Sequence, residues 1–98
     1  MCIRDRCTDE EIVDGIKLLA ETTGIFAETA GGVTIATLRQ LVRRGSIDPN
    51  KSVVAIISGH GLKTLDAIVD TATVTATISP SLASAQAALG VHELVAAS

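Results

Sequence analysis

With 98 residues the chain is no larger than one small domain, and at that size a high surface-to-volume ratio leaves only a modest core. Its 8 basic side chains stand against 11 acidic ones, with no basic block and no interleaved aromatics, which argues against a nucleic-acid partner. No apolar run nears the roughly 20 residues needed to span a bilayer and the N-terminus has no signal-peptide apolar region, so a cytoplasmic protein without a membrane partner is expected.

The composition is 47% apolar yet holds a single aromatic residue, Phe26, so any core is built of Ala, Val, Ile and Leu. Such side chains suit helices layered on a sheet. Each buries less area than a ring would, at about 25 cal/mol per Å², and the chain is not expected to be a self-sufficient unit. Cys2 and Cys7 are its only cysteines and have no companion Cys or His at zinc-like spacing, so two reduced, idle thiols and no metal site are expected.

Met1 to Arg6 shows neither helical nor strand period. It reads as a foreign junction or as a frayed native terminus, and residues 1–7 are set apart from the fold on that ground. Order begins with Thr8-Asp9-Glu10-Glu11, a capping box whose three carboxylates also oppose the positive end of a helix dipole. Ile12, Ile16 and Leu19, flanked by Val13 and Ala20, form an apolar stripe at helical spacing, which predicts a helix over 9–22 that ends near Gly24.

The stretch Gly24 to Gly32 is apolar at first and then small and glycine-rich, reading as a brief extended piece that leads into a helix over 30–43. Val33, Leu38, Leu41 and Val42 would supply the buried side of that helix. Gly31 and Gly32 in its first turn each cost about 1 kcal/mol against Ala. Either they allow close helix-to-strand packing or they open a helix N-terminus to a polar ligand group. Arg43-Arg44-Gly45 closes the helix, and Asp48-Pro49-Asn50 makes a turn.

The chain is organised around what comes next, Val53-Val54-Ala55-Ile56-Ile57-Ser58-Gly59-His60-Gly61. Five apolar residues without polar alternation predict a strand buried on both faces, as in a parallel sheet. The run stops at Ser58 and enters a glycine-flanked turn. In open α/β sheets, ligands sit beyond the carboxyl ends of strands, so Ser58 is the first place to look for a site. His60, between the glycines, points either at solvent or at that site. Beyond it, Leu62 to Asp70 predicts a short helix with Leu65 and Ile68 inward, and Thr73 to Ile78 a second strand. Ser79-Pro80 reads as an N-cap and first position for a last helix ended by Gly90; Val91 to Ser98 has no assignment.

Taken together, Gly24-Ile25-Phe26-Ala27-Glu28-Thr29-Ala30-Gly31-Gly32-Val33-Thr34 and Ile57-Ser58-Gly59-His60-Gly61-Leu62-Lys63 resemble the C-terminal part of the threonine synthases. These are pyridoxal-phosphate enzymes of fold type II, a class shared with the tryptophan synthase β subunit and the serine and threonine dehydratases. The likeness runs from about Thr8 to Ala88 and includes Ile47-Asp48-Pro49 and Ile78-Ser79-Pro80-Ser81-Leu82. It implies an α/β fold, a partial three-layer open sheet. Residues 8–70 would belong to the cofactor-binding domain and 71–98 to an incomplete strand-helix extension.

The resemblance also implies a site. Ser58 matches a hydroxyl residue that hydrogen-bonds the pyridine nitrogen of pyridoxal 5'-phosphate, with Gly59 clearing space beside it. Glu28 matches an acidic residue near the cofactor, though a carboxylate at a helix start also serves as a cap. Thr29, Ala30 and Gly31 would line the same wall. Lys63 does not match the Schiff-base lysine, which in this family lies in the N-terminal half, so this chain holds no catalytic residue. The expectation is a fragment, inactive alone, with exposed apolar faces where the missing N-terminal part of the enzyme would pack. The parent would convert O-phospho-L-homoserine and water to L-threonine and phosphate, with a homodimer as one option for its assembly. A related lyase such as a threonine or serine dehydratase, or a non-catalytic small-molecule binding module, are the competing readings.

Overall fold

A computed structural model describes residues 6–90 and contains three α-helices: α1 (Asp9–Thr23), α2 (Thr29–Arg43) and α3 (Leu82–Leu89). Two 3₁₀ segments, Gly61–Ala67 and Val69–Thr71, lie between α2 and α3. Most of the N-terminal junction, with Cys2, and the tail from Val91 lie outside the described residues.

The signals that predict α1 operate as expected. Thr8 Oγ1 accepts from the Glu11 amide at 3.2 Å, and Glu11 Oε2 accepts from the Thr8 amide at 2.9 Å, satisfying two donors that a helix start otherwise leaves unpaired. Gly24, at φ 75°, turns the chain out of the helix and donates its amide to Ala20. α2 begins one residue earlier than the glycine-rich reading suggests and ends at Arg43, as expected.

α1 and α2 cross where glycine faces glycine. A methyl group on Gly15 would lie 2.5 Å from the Gly32 carbonyl oxygen, and one on Gly32 would lie 2.6 Å from the Ile12 carbonyl oxygen. The two backbones are therefore in near contact. Ile16, Leu19 and Ala36 are buried beside this crossing, and Ala27 is buried at the entry to α2. Gly31 packs on Ala27 and on Ile57, so both glycines of the first turn are in close packing. The sequence reading places Val33 and Val42 on the buried side of α2, but both are exposed, because the face that carries them meets no further layer.

The expected open sheet is not formed among the described residues. Residues 52–58 carry no regular secondary structure and pair with no strand among the described residues, and Val54 and Ile56 are 86% and 79% exposed. Residues 72–79 likewise carry none, with Val74 exposed. A strand buried on both faces needs lateral neighbours and two covering layers, and the described residues supply them for neither segment. Among the described residues the one bridge is antiparallel, between Ala27 and His60.

Two smaller corrections follow from local hydrogen bonding. Residues Gly61–Thr71 wind as 3₁₀ turns rather than one α-helix, with the backbone leaving helical values at Thr64 (φ −131°, ψ 41°) and Leu65 exposed. α3 is capped by Ser81, not Ser79: Ser81 Oγ accepts from the Ser84 amide at 3.2 Å, while the Ser79 amide donates to Ser84 Oγ. Pro80 thus precedes the cap instead of opening the helix. α3 is apolar nearly all round, with Leu82 and Leu89 exposed, the pattern of a helix meant for burial. The radius of gyration is 17.7 Å, against about 12–13 Å for a closed domain of this length. No helix among the described residues is long and apolar enough to cross a membrane.

Candidate functional site

The Ser58 turn is docked on the head of α2. Gly59 takes φ 79°, a left-handed conformation that glycine adopts without penalty, and this reverses the chain after the apolar run. Its carbonyl accepts from the Glu28 amide at 3.4 Å, and two residues on the Gly61 amide donates to the Phe26 carbonyl at 3.0 Å. Gly61 is buried against the Phe26 ring, which leaves no room for a side chain there. His60 meets the same ring edge-on, with centroids 5.5 Å apart.

Ser58 itself is exposed, and its hydroxyl makes no hydrogen bond among the described residues. It stands at the end of the apolar run with donor and acceptor capacity both unused. Such a group can hydrogen-bond a heteroaromatic nitrogen without imposing a charge on it. His60 is committed elsewhere: its Nδ1 accepts from the Leu62 amide at 3.2 Å and caps the 3₁₀ segment.

Glu28 is the N-cap residue of α2 by position, yet its side chain makes no capping hydrogen bond. The carboxylate lies over Gly59, in the space that a Cβ on that glycine would take, and its Oε2 is 3.4 Å from Lys63 Nζ. The first amide of α2, from Thr29, donates to Thr64 Oγ1 at 3.1 Å. Thr29 and Ala30 also help wall a cleft of about 650 Å³ with Asp9, Ile12, Val13, Val33 and Ala67, to which Ser58, Glu28 and Gly59 do not contribute. The structure thus brings Ser58, Gly59, Glu28 and Thr29 together through one loop, turns Ala30 toward the cleft between the helices, and buries Gly31 in packing.

Lys63, Thr64 and Phe26 belong to this assembly and the sequence reading gave them no part in it. Their contacts span more than thirty positions of chain, as the 35 between Thr29 and Thr64 show, and no local spacing signals them. The remaining thiol, Cys7, is free and lies 3.4 Å from Thr37 Oγ1, away from the turn. No cluster of His, Cys, Asp and Glu able to hold a metal ion occurs among the described residues.

Comparison with known proteins adds the family. Among curated proteins, the chain is 50% identical over 62 residues to a threonine synthase of Methanocaldococcus jannaschii, a match covering 63% of this chain and 15% of that protein. It is 38% identical over 77 residues to a threonine synthase of Halalkalibacterium halodurans, covering 79% of this chain and 22% of the relative. A third, from Bacillus sp. (strain ULM1), is 40% identical over 62 residues, covering 63% and 18%. The chain therefore spans only a minor part, 15–22%, of the length of these relatives, and the expected resemblance to threonine synthases is borne out. A family model described as pyridoxal-phosphate dependent enzyme matches residues 5–59, a span that takes in α1, α2 and the turn as far as Gly59. On that match, which covers more than half of its residues, the chain belongs to the family of pyridoxal-phosphate dependent enzymes.

Proposed function

We propose that this chain is a segment of a pyridoxal-phosphate-dependent lyase that converts O-phospho-L-homoserine and water to L-threonine and phosphate. What carries the reading is that the family match includes Ser58-Gly59, the turn whose exposed, unpartnered hydroxyl is pinned to α2. The relatives are named threonine synthases, which supports this reading, and the reaction itself is what the resemblance implies. Residues 8–70 are the part of the cofactor-binding domain held here, and 71–98 are the strand-helix extension. In the assembled enzyme, residues 52–58 and 72–79 become strands of the open sheet, and the exposed Val54, Ile56 and Val74 are covered by polypeptide from the rest of the protein.

The cofactor supplies an electron sink for charge developing at the substrate's α carbon. Ser58 would donate a hydrogen bond to the ring nitrogen, keeping its own proton and staying neutral. A carboxylate in that place would favour a protonated ring; a hydroxyl leaves a milder sink, suited to reactions in which a leaving group departs. Gly59, having no side chain, leaves the space beside Ser58 that the Glu28 carboxylate takes. Glu28 and Thr29 border the same wall, with the Glu28 charge answered by Lys63. The lysine that tethers the cofactor comes from outside this chain, so the 98-residue polypeptide is inactive alone.

The test is an assay of the full-length protein carrying this segment, following phosphate release and threonine formation from O-phospho-L-homoserine. Threonine and phosphate appearing in equal amounts is the expected outcome. Deamination of threonine or serine with no action on the phosphorylated substrate would assign the segment to a dehydratase instead. The isolated chain mixed with pyridoxal phosphate forms no threonine; threonine formation by it would overturn the dependence on further polypeptide.

A further inference from the structure

An α-helix leaves its first amides without partners, and the usual remedy is the side chain of the N-cap residue. α2 does not use it. Glu28 has the extended backbone of an N-cap, φ −72° and ψ 177°, but its carboxylate is drawn sideways to Lys63. The Thr29 amide, the first of α2 and not one that an N-cap side chain serves, is met from a distant part of the chain, by Thr64 Oγ1. Thr64 is also the residue at which the 3₁₀ segment abandons helical backbone angles.

We infer that Lys63 and Thr64 are positioning residues: a two-point clasp that sets the Ser58-Gly59 turn on the head of α2 and so fixes where the Ser58 hydroxyl stands. This rests on the reading of Ser58 given above. The backbone alone holds the turn loosely at its critical end, because the Glu28 amide to Gly59 carbonyl distance, 3.4 Å, lies at the long limit for a hydrogen bond. Lys63 draws the Glu28 carboxylate over Gly59, and Thr64 ties the first peptide of α2 to the segment that follows the turn. The Lys63 side chain is 67% exposed and that of Glu28 15%. An ion pair so open to solvent adds little to global stability, so its effect is on the placement of the turn.

Amide hydrogen exchange on the full-length protein carrying this segment, in its cofactor-free form and read residue by residue by NMR, tests the clasp. In Thr64→Val, protection of the Thr29 amide falls about 2- to 10-fold, as for the loss of one hydrogen bond, while amides in the middle of α2 keep theirs; Thr64→Ser restores it. In Lys63→Gln, protection of the Glu28 amide falls and the Gly59 resonance moves, and Lys63→Arg reverses both. Unchanged Thr29 protection in Thr64→Val, or failure of the serine and arginine variants to restore the starting values, overturns the inference. So does an unprotected Thr29 amide in the unmodified chain, since the clasp is then not made. Ser58 and the cofactor take no part in this measurement, so the clasp can fail while the Ser58 reading stands, and the reverse.

Discussion

Gly32→Ala probes the helix crossing that carries the site. The new methyl would sit 2.6 Å from the Ile12 carbonyl oxygen, 2.8 Å from Ile16 Cγ1 and 2.9 Å from Ile12 Cγ2, where carbon contacts settle at about 3.5–4.0 Å. The Ile16 side chain can rotate away; the Ile12 carbonyl is fixed in α1 and cannot. Relief requires the helices to part by close to an ångström, and overpacking of this kind costs about 1–3 kcal/mol. Alanine's better helix propensity returns about 1 kcal/mol. The backbone clash puts the cost toward its upper end, for a net loss of about 1–2 kcal/mol, or a fall in midpoint of about 4–8 °C for each kcal/mol in a chain of this size. Thermal unfolding followed by circular dichroism at 222 nm measures it, with Lys17→Ala on the exposed face of α1 as the control expected to stay within about 0.5 kcal/mol. Gly15→Ala faces the Gly32 carbonyl at 2.5 Å and should behave alike, and the double variant should cost less than the sum, since one separation relieves both. A Gly32→Ala chain more stable than the starting one would refute the close crossing and the placement of α2 built on it.

Two further outcomes concern the turn and the exposed segments. Gly59→Ala loses the freedom that glycine has at φ 79° and pushes the Glu28 carboxylate off its position, so protection of the Glu28 and Gly61 amides should drop about tenfold, while the unfolding midpoint of α1 and α2 is nearly unchanged. Val54→Lys with Ile56→Lys should leave helix stability within about 0.5 kcal/mol, because both side chains are already in solvent, and should reduce self-association in sedimentation velocity, since an unpaired apolar edge templates pairing between chains.

Those same residues mark what the sequence could convey. The ends of α1 were legible because their causes are local: Thr8 and Glu11 lie within one turn of each other, and Gly24 stops the helix where its left-handed conformation is needed. The turn at Ser58 is legible for the same reason, as the glycines on either side of His60 admit the left-handed backbone that Gly59 takes. The strand expected over 53–57 rests on its β-branched run, but pairing is a property of neighbours, and the described residues bring none to it. Val33 and Val42 were assigned to a buried face by the same logic and lie open for the same reason. For α3 the Ser79-Pro80 pair points to a cap two residues too early, because the hydroxyl that reaches the Ser84 amide is that of Ser81.

At the site, Ser58, Gly59, Glu28 and Thr29 could be named from motif and resemblance, because each lies in a short contiguous stretch. The ion pair to Lys63 and the amide bond to Thr64 could not, since they depend on how the 3₁₀ segment folds back on α2. Glu28 shows the difference most clearly. At a helix start a carboxylate is ordinarily a cap; here a distant lysine pairs with it, and a distant threonine accepts from the first amide of the helix, one that an N-cap side chain does not serve.

The central claim is that the Ser58 hydroxyl meets the cofactor ring nitrogen, and Ser58→Ala in the full-length protein tests it most directly. With cofactor content read by absorbance and turnover by phosphate release, the account predicts full cofactor retention and a kcat lowered about 2- to 10-fold, the worth of one neutral hydrogen bond, with Ser58→Thr close to the starting enzyme. A Ser58→Ala enzyme whose kcat and kcat/KM equal those of the unmodified protein would contradict it.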